Sequence, residues 1–323
     1  IKGKAAGKPC WQLLGDKAKP HIIPYASLQP SGHRFGEYRD SLVAWAMRAK
    51  ELGFQAGKME VTLSGPYNHS GLNEPDEKMT EVVAACRAAV GPDFVMMVDV
   101  QYTWSDVDIA LRTLNDWKDF DIYFIETPLA IDDLAGYARL HDEAPMPVAA
   151  GEWQNTRFEF ADLMDIGRVD VAQPDVGRVG GLTEAKRVCE MAAQRGRQIV
   201  PHCWKTGISI AATAHLAAVT QHCPYIEFMP TNLCDSQLRK DLVDDELQII
   251  DGVIPLPEKP GLGIEVNMDA LRALRLGIGA LSGLGLGEKN EGFTIWQVHN
   301  RVSSRYPEAM SLPTDPKELE LML

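Results

Sequence analysis

Four short apolar runs in this chain each end in an acidic residue, and a fifth ends in a histidine. They read FVMMVDV with Asp99, IYFIETPL with Glu126, PVAAGEW with Glu152, VAQPDVG with Asp175 and QIVPHCW with His202. Carboxylates gathered in threes repel one another and are driven to protonate unless a cation joins them. Mg²⁺ takes oxygen ligands octahedrally, usually a few carboxylates plus water and substrate oxygens. Asp99, Glu126 and Glu152 are therefore candidate ligands for one Mg²⁺, and with no His or Cys standing beside them zinc is disfavoured. Asp175 and His202 suggest a second device. A carboxylate on one ring nitrogen fixes the imidazole tautomer and raises the basicity of the other nitrogen, which is how a general base is built.

The steps between these residues are 27, 26, 23 and 27. A strand, a helix and two short loops need about that much chain. The spacing predicts one βα unit repeated, with strand ends that converge on one face of a closed parallel barrel. Around the five units, HIIPYASL (21–28), AGKMEV (56–61) and YIEFMP (225–230) read as further strands. Helices are expected near 38–52, 104–118, 131–143, 156–166, 180–196 and 207–221, with another ending near Gly91. The fold class expected is α/β, a TIM-type (β/α)₇β barrel. Residues 1–15 read as a short helix ended by Gly15, within a linker over 1–19. The barrel is expected over 20–262, and a C-terminal extension over 263–323. A doubly wound sheet is the rival, but no complete G-x-G-x-x-G or G-x-x-x-x-G-K-[ST] occurs. The glycine cluster at 277–287 lacks that spacing and reads as a turn-rich connection.

A lone Asp or Glu after a strand is more often an N-cap for the next helix. Here Glu126 and Glu152 are followed by apolar residues or Trp rather than directly by a helix, and alternation aims each acidic side chain inward. His202 alone would read as a buried structural histidine; Asp175, one strand earlier at the same level, shifts that balance. Lys58 and Glu60, two apart on the second strand, share a face. They are either a strand-edge ion pair or, for Lys58, a cation in the mouth opposite His202 that meets a substrate carboxylate or enolate. Glu227 is placed to hydrogen-bond a substrate oxygen or to cap a helix, and Lys205 also falls near the mouth.

Lys plus Arg is 32 and Asp plus Glu 45, a net charge of −13 over 323 residues. An acidic chain with no basic run argues against nucleic acid or an anionic membrane as partner. No apolar run reaches the length of a membrane span, and no signal peptide is visible. Six cysteines without a C-x-x-C pair fit reduced thiols in a cytoplasmic enzyme, with Cys203 read as packing.

As an ordered set at these spacings, the residues resemble the enolase superfamily, specifically its mandelate racemase subgroup, from GKAAGKPCWQLLG to PGLGIEV. The resemblance implies Mg²⁺ held by Asp99, Glu126 and Glu152, an Asp175/His202 dyad, and Glu227 on the last strand. It implies removal of the proton α to a carboxylate, with Mg²⁺ stabilising the enediolate. Two departures stand out. The family's second strand often reads Lys-x-Lys, and Glu60 replaces the second lysine, which puts a two-base racemase in doubt. No counterpart of the N-terminal capping domain is found, and the chain opens on Ile1 in what reads as mid-protein helix; a removed or missing N-terminal part is expected. A single base suits dehydration of an acid sugar to a 2-keto-3-deoxy acid. The alternatives are a cycloisomerase or an epimerase on a related carboxylate, a glycosidase using Glu126 and Glu152, and a barrel without turnover. A small carboxylate substrate and a homo-oligomer are expected.

Overall fold

The computed structural model describes residues 1–272 apart from 17, 69 and 234–236. The cluster at 277–287 and most of the expected C-terminal extension lie outside the described residues. Eight parallel strands form the central sheet: β1 (Pro24–Leu28), β2 (Ala56–Glu60), β3 (Val95–Asp99), β4 (Ile122–Glu126), β5 (Val148–Ala150), β6 (Val171–Ala172), β7 (Gln198–Ile199) and β8 (Ile226–Phe228). One helix follows each of the first seven: α1 (Phe35–Glu51), α2 (Asp76–Val90), α3 (Val107–Asp116), α4 (Leu134–Glu143), α5 (Thr156–Asp165), α6 (Leu182–Gln194) and α7 (Gly207–Ala218). This is the (β/α)₇β order that the spacing predicts.

The ladder runs β7-β6-β5-β4-β3-β2-β1-β8, so the last strand returns to the first and the sheet curls. Only β7 and β8 lack a ladder between them. There the backbone is joined by Ile199 N–H donating to the His222 carbonyl at 3.0 Å. The Glu227 carboxylate also accepts from Cys203 N–H. Such a sheet leaves no long open edge.

Alternation along the strands builds the interior in layers. Tyr25, Ala56, Met97, Phe124, Ala149, Val171 and Val200 form a buried apolar floor, with Tyr225 against it. Side chains two positions on face the same way. Those positions hold Ser27, Lys58, Asp99, Glu126, Gly151, Gln173, His202 and Glu227. The second layer is thus almost entirely polar. Outside the strands, the helices pack a larger apolar shell. The alanine-rich α7 is buried on most of its surface, including His215, which matches the close packing its composition predicts.

Two sequence expectations change. The single N-terminal helix is two short ones, Lys2–Ala6 and Trp11–Leu14, parted at Gly7 in the left-handed region and at Pro9. The second piece docks on α7, with Trp11 N–H donating to His215 Nδ1 at 3.1 Å. The first strand is also shorter, because His21–Ile22 leaves the barrel to pair antiparallel with Ile254–Pro255. The chain divides into two compact units, residues 1–235 with 243–266, and residues 236–242 with 267–323. In the second, Gln237–Asp241 is a short helix and Asn267 N–H donates to the Leu242 carbonyl. Among the described residues, no helix is long and apolar enough to cross a membrane.

Candidate active site

The parallel register sets Glu60, Asp99 and Glu126 abreast on β2, β3 and β4. None of them caps a helix. Asp106 caps α3 by accepting from Asp108 and Ile109 N–H, and Asp133 caps α4 by accepting from Gly136 N–H. The strand-end carboxylates are therefore left for the mouth of the barrel.

Lys58 lies among three of them. Its Nζ is 2.5 Å from Glu126 Oε1, 3.1 Å from Glu227 Oε1 and 3.7 Å from Asp99 Oδ2. All four side chains are buried. Burial alone would discharge the lysine, but Glu126 and Glu227 outweigh it and hold the ammonium well above its ordinary range. One cation does not balance the carboxylates around it. Burial raises Glu126 to about 8, with Lys58 only partly offsetting it. Burial and the charge of Asp99 raise Glu60 to about 8. Asp99 is also raised, by burial first and by Glu152 in addition. Glu60 accepts from Gln101 Nε2 at 3.0 Å and makes no ion pair with Lys58. The strand-edge pair between them is thus replaced by pairing across the barrel.

Glu152 stands past the end of β5, after Gly151, whose φ is +134°. It accepts from Tyr102 OH at 2.8 Å and lies 3.1 Å from His202 Nε2 through Oε2. The other ring nitrogen of His202, Nδ1, is 2.8 Å from Asp175 Oδ2. Asp175 also pairs with Lys205 Nζ at 2.8 Å. Burial works to raise Asp175, yet the bonds from His202 and Lys205 hold its carboxyl down to about 2. Burial likewise opposes charge on His202, but Glu227, Asp175 and Glu152 raise its pKa above the ordinary imidazole value.

The structure therefore gathers Lys58, Glu60, Asp99, Glu126, Glu152, Asp175, His202, Lys205 and Glu227 at one end of the barrel. Among the described residues, however, no three His, Cys, Asp or Glu side chains enclose one centre. Asp99 and Glu126 face Lys58, while Glu152 faces Tyr102 and His202. The donor chemistry nonetheless fits a hard dication. The three strand-end groups are oxygen donors, two are buried, and those two have their pKa raised, by burial first and by neighbouring carboxylates in addition.

Several contributors escaped the sequence reading, Gln101 beside Glu60 among them. Gln173 donates to Glu126 Oε2 at 2.5 Å and Ser27 donates to Glu227 Oε1 at 2.7 Å. Both lie two residues after a floor residue, so strict alternation would have marked them. Tyr102 and Arg178 sit in loops, where no period applies. Arg178 NH1 donates to the Glu152 carbonyl at 2.9 Å, and its guanidinium lies 3.9 Å from the Trp153 ring centroid.

The chain matches the family described as Enolase C-terminal domain-like over residues 41–270. It is 32% identical over 284 residues to a D-galactarolactone cycloisomerase of Agrobacterium fabrum, covering 85% of this chain and 71% of that protein. It is also 32% identical over 272 residues to an L-rhamnonate dehydratase of Saccharopolyspora erythraea, covering 83% of this chain and 63% of that one. The solved 3,6-anhydro-D-galactonate cycloisomerase of Zobellia galactanivorans superposes with a TM-score of 0.74 at 33% identity, over 84% of this chain and 71% of that one. A mandelate racemase/muconate lactonizing enzyme-like protein from Roseovarius sp. gives 0.74 at 30%, over 84% and 69%. With the barrel, the polar layer and these matches together, the chain belongs to the enolase superfamily of enzymes, in its mandelate racemase subgroup.

Proposed function

We propose that this protein abstracts the proton α to the carboxylate of an acid sugar and completes a dehydration to a 2-keto-3-deoxy acid. The observation that carries this reading is the Asp175–His202 bond of 2.8 Å, set beside a ring of buried carboxylates. Asp99, Glu126 and Glu152 would hold Mg²⁺. Bound there, Mg²⁺ supplies positive charge that opposes the second negative charge developing on the substrate carboxylate.

The chain's own groups do the rest. His202 Nε2 takes the α-proton, and Asp175 stabilises the imidazolium that results. The bond from the β-carbon to its hydroxyl then breaks. His202 returns the proton to the departing hydroxide, so that water leaves and the enol relaxes to the ketone. Lys58 and Lys205 bring cationic groups to the same mouth for substrate oxygens, with Glu227 and Glu60 as hydrogen-bonding partners. Charge developing in a buried site is stabilised more strongly than in water, because fixed groups there need no reorganisation.

A cycloisomerase is the second reading, and it is favoured by two of the relatives being enzymes of that name. In that case the same enolate expels a ring oxygen instead of hydroxide. The test incubates the full-length protein with Mg²⁺ in D₂O against a panel of sugar acids and lactones. Deuterium at the α-carbon of the recovered substrate, or at the carbon next to the new ketone in the product, supports the shared first step. Apart from that deuterium, a product lighter by one water identifies dehydration, and a product of the substrate's own mass identifies isomerisation. Turnover indifferent to chelator, with no α-exchange, would replace both with the glycosidase reading of Glu126 and Glu152. Mg²⁺ binding without exchange or turnover would leave a non-catalytic barrel.

A further inference from the structure

The dyad and Glu152 come from loops after different strands, and something must keep them in register. Glu152 lies two residues past β5, beyond the reach of the ladder, and follows a glycine at φ +134°. Asp175 lies three residues past β6, in a turn closed by its own Oδ1 accepting from Gly177 N–H at 2.7 Å. One side chain reaches both. Arg178 NH1 donates to the Glu152 carbonyl at 2.9 Å and lies 3.5 Å from Glu152 Oε2. Its Nε is 4.0 Å from Asp175 Oδ2. The flat face of the same guanidinium rests on Trp153, 3.9 Å from the ring centroid.

We propose that Arg178 is a positioning residue, tying the Glu152 backbone to the Asp175 carboxylate so that His202 stays aligned with the group it serves. The role rests on the functional reading above. A guanidinium presents several donors in one rigid plane and stacks on an aromatic ring, whereas an ammonium is a single point charge without a stacking face. Lysine can therefore replace the charge but not the bridge. Because Arg178 acts on a backbone carbonyl and on Asp175, its loss should disturb the proton-transfer step more than substrate capture. A misplacement of about 1 Å at such a site costs on the order of 100-fold in rate.

The experiment compares the full-length protein with Arg178→Gln and Arg178→Lys, following α-proton exchange in D₂O with Mg²⁺ present. The expected result is a kcat lowered about 100-fold in Arg178→Gln, with KM within about threefold, and only partial recovery in Arg178→Lys. Amide hydrogen exchange of the peptides carrying residues 151–154 and 175–178 supplies a readout independent of turnover. Both segments should lose protection together in Arg178→Gln. Wild-type turnover matched within threefold by Arg178→Gln, or unchanged protection in both peptides, would overturn the tie while leaving the functional reading intact. Full recovery in Arg178→Lys would also overturn it, by showing that charge alone suffices. A wild-type protein that exchanges no α-proton would overturn the functional reading and this role with it.

Discussion

His202 is held at both ring nitrogens: Nδ1 is 2.8 Å from Asp175 Oδ2, and Nε2 is 3.1 Å from Glu152 Oε2. The first contact orients the ring. The second aims the reactive nitrogen at a carboxylate proposed to hold Mg²⁺, so the proposed base and cation site are nearest neighbours. Glu227 completes the group. Its Oε1 is 3.1 Å from Lys58 Nζ and its Oε2 is 3.9 Å from His202 Nε2.

Replacing His202 with Asn removes the proposed base. General-base catalysis contributes about 10²–10⁴-fold, so α-proton exchange followed by NMR in D₂O should fall by that order while the fold persists by circular dichroism. Exchange at the wild-type rate would show that another group takes the proton.

Mg²⁺ affinity measured by titration calorimetry should drop sharply in Glu152→Gln and in Asp99→Asn, because each loses an anionic oxygen donor. Chelator should abolish exchange in the wild type, and added Mg²⁺ should restore it. An unchanged titration in both variants would remove these residues from the ligand set.

Lys58 is the cation shared by Glu126, Glu227 and Asp99 in the barrel interior. Breaking a buried pair by deleting one partner costs roughly 3–5 kcal/mol. Thermal melts of Lys58→Met without Mg²⁺ should therefore lie far below wild type. Saturating Mg²⁺ should recover part of the loss, because a cation binding the folded state stabilises it by mass action. A variant as stable as wild type without Mg²⁺ would mean the three carboxylates do not depend on this ammonium.

Gly151→Ala tests how Glu152 is presented. A Cβ there would meet Phe160 at 2.7 Å and Gln173 N at 3.0 Å, on a backbone at φ +134°. Such strain costs on the order of 1–3 kcal/mol, read as a lower urea midpoint with an unchanged slope. Mg²⁺ affinity should fall with it as Glu152 shifts. A midpoint equal to wild type would show that the loop after β5 relaxes freely.

The order and type of the barrel's elements were legible because the apolar runs and their even spacing carry the period of a βα repeat. Lys58, Asp99 and Glu126 were legible as mouth residues because period two decides which way a strand side chain faces. Asp175 and His202 lie past their strands, and were legible from the even spacing of the units and from their types as a carboxylate–imidazole pair. Local sequence also sets the ends of several helices, as at Asp106 before α3 and Gly91 after α2. Partnership was not legible. Lys58 and Glu60 face the same side, yet the lysine pairs with Glu126 and Glu227, 68 and 169 positions later along the chain. Only closure of the sheet brings β8 beside β1 and across from β4. The departure of His21–Ile22 to pair with Ile254–Pro255 and the reach of Arg178 between two loops likewise depend on partners distant in the chain or on another loop. Periodicity assigns a side chain to a face, but the distance it spans depends on how non-neighbouring strands curl together, and that is a property of the closed tertiary fold alone.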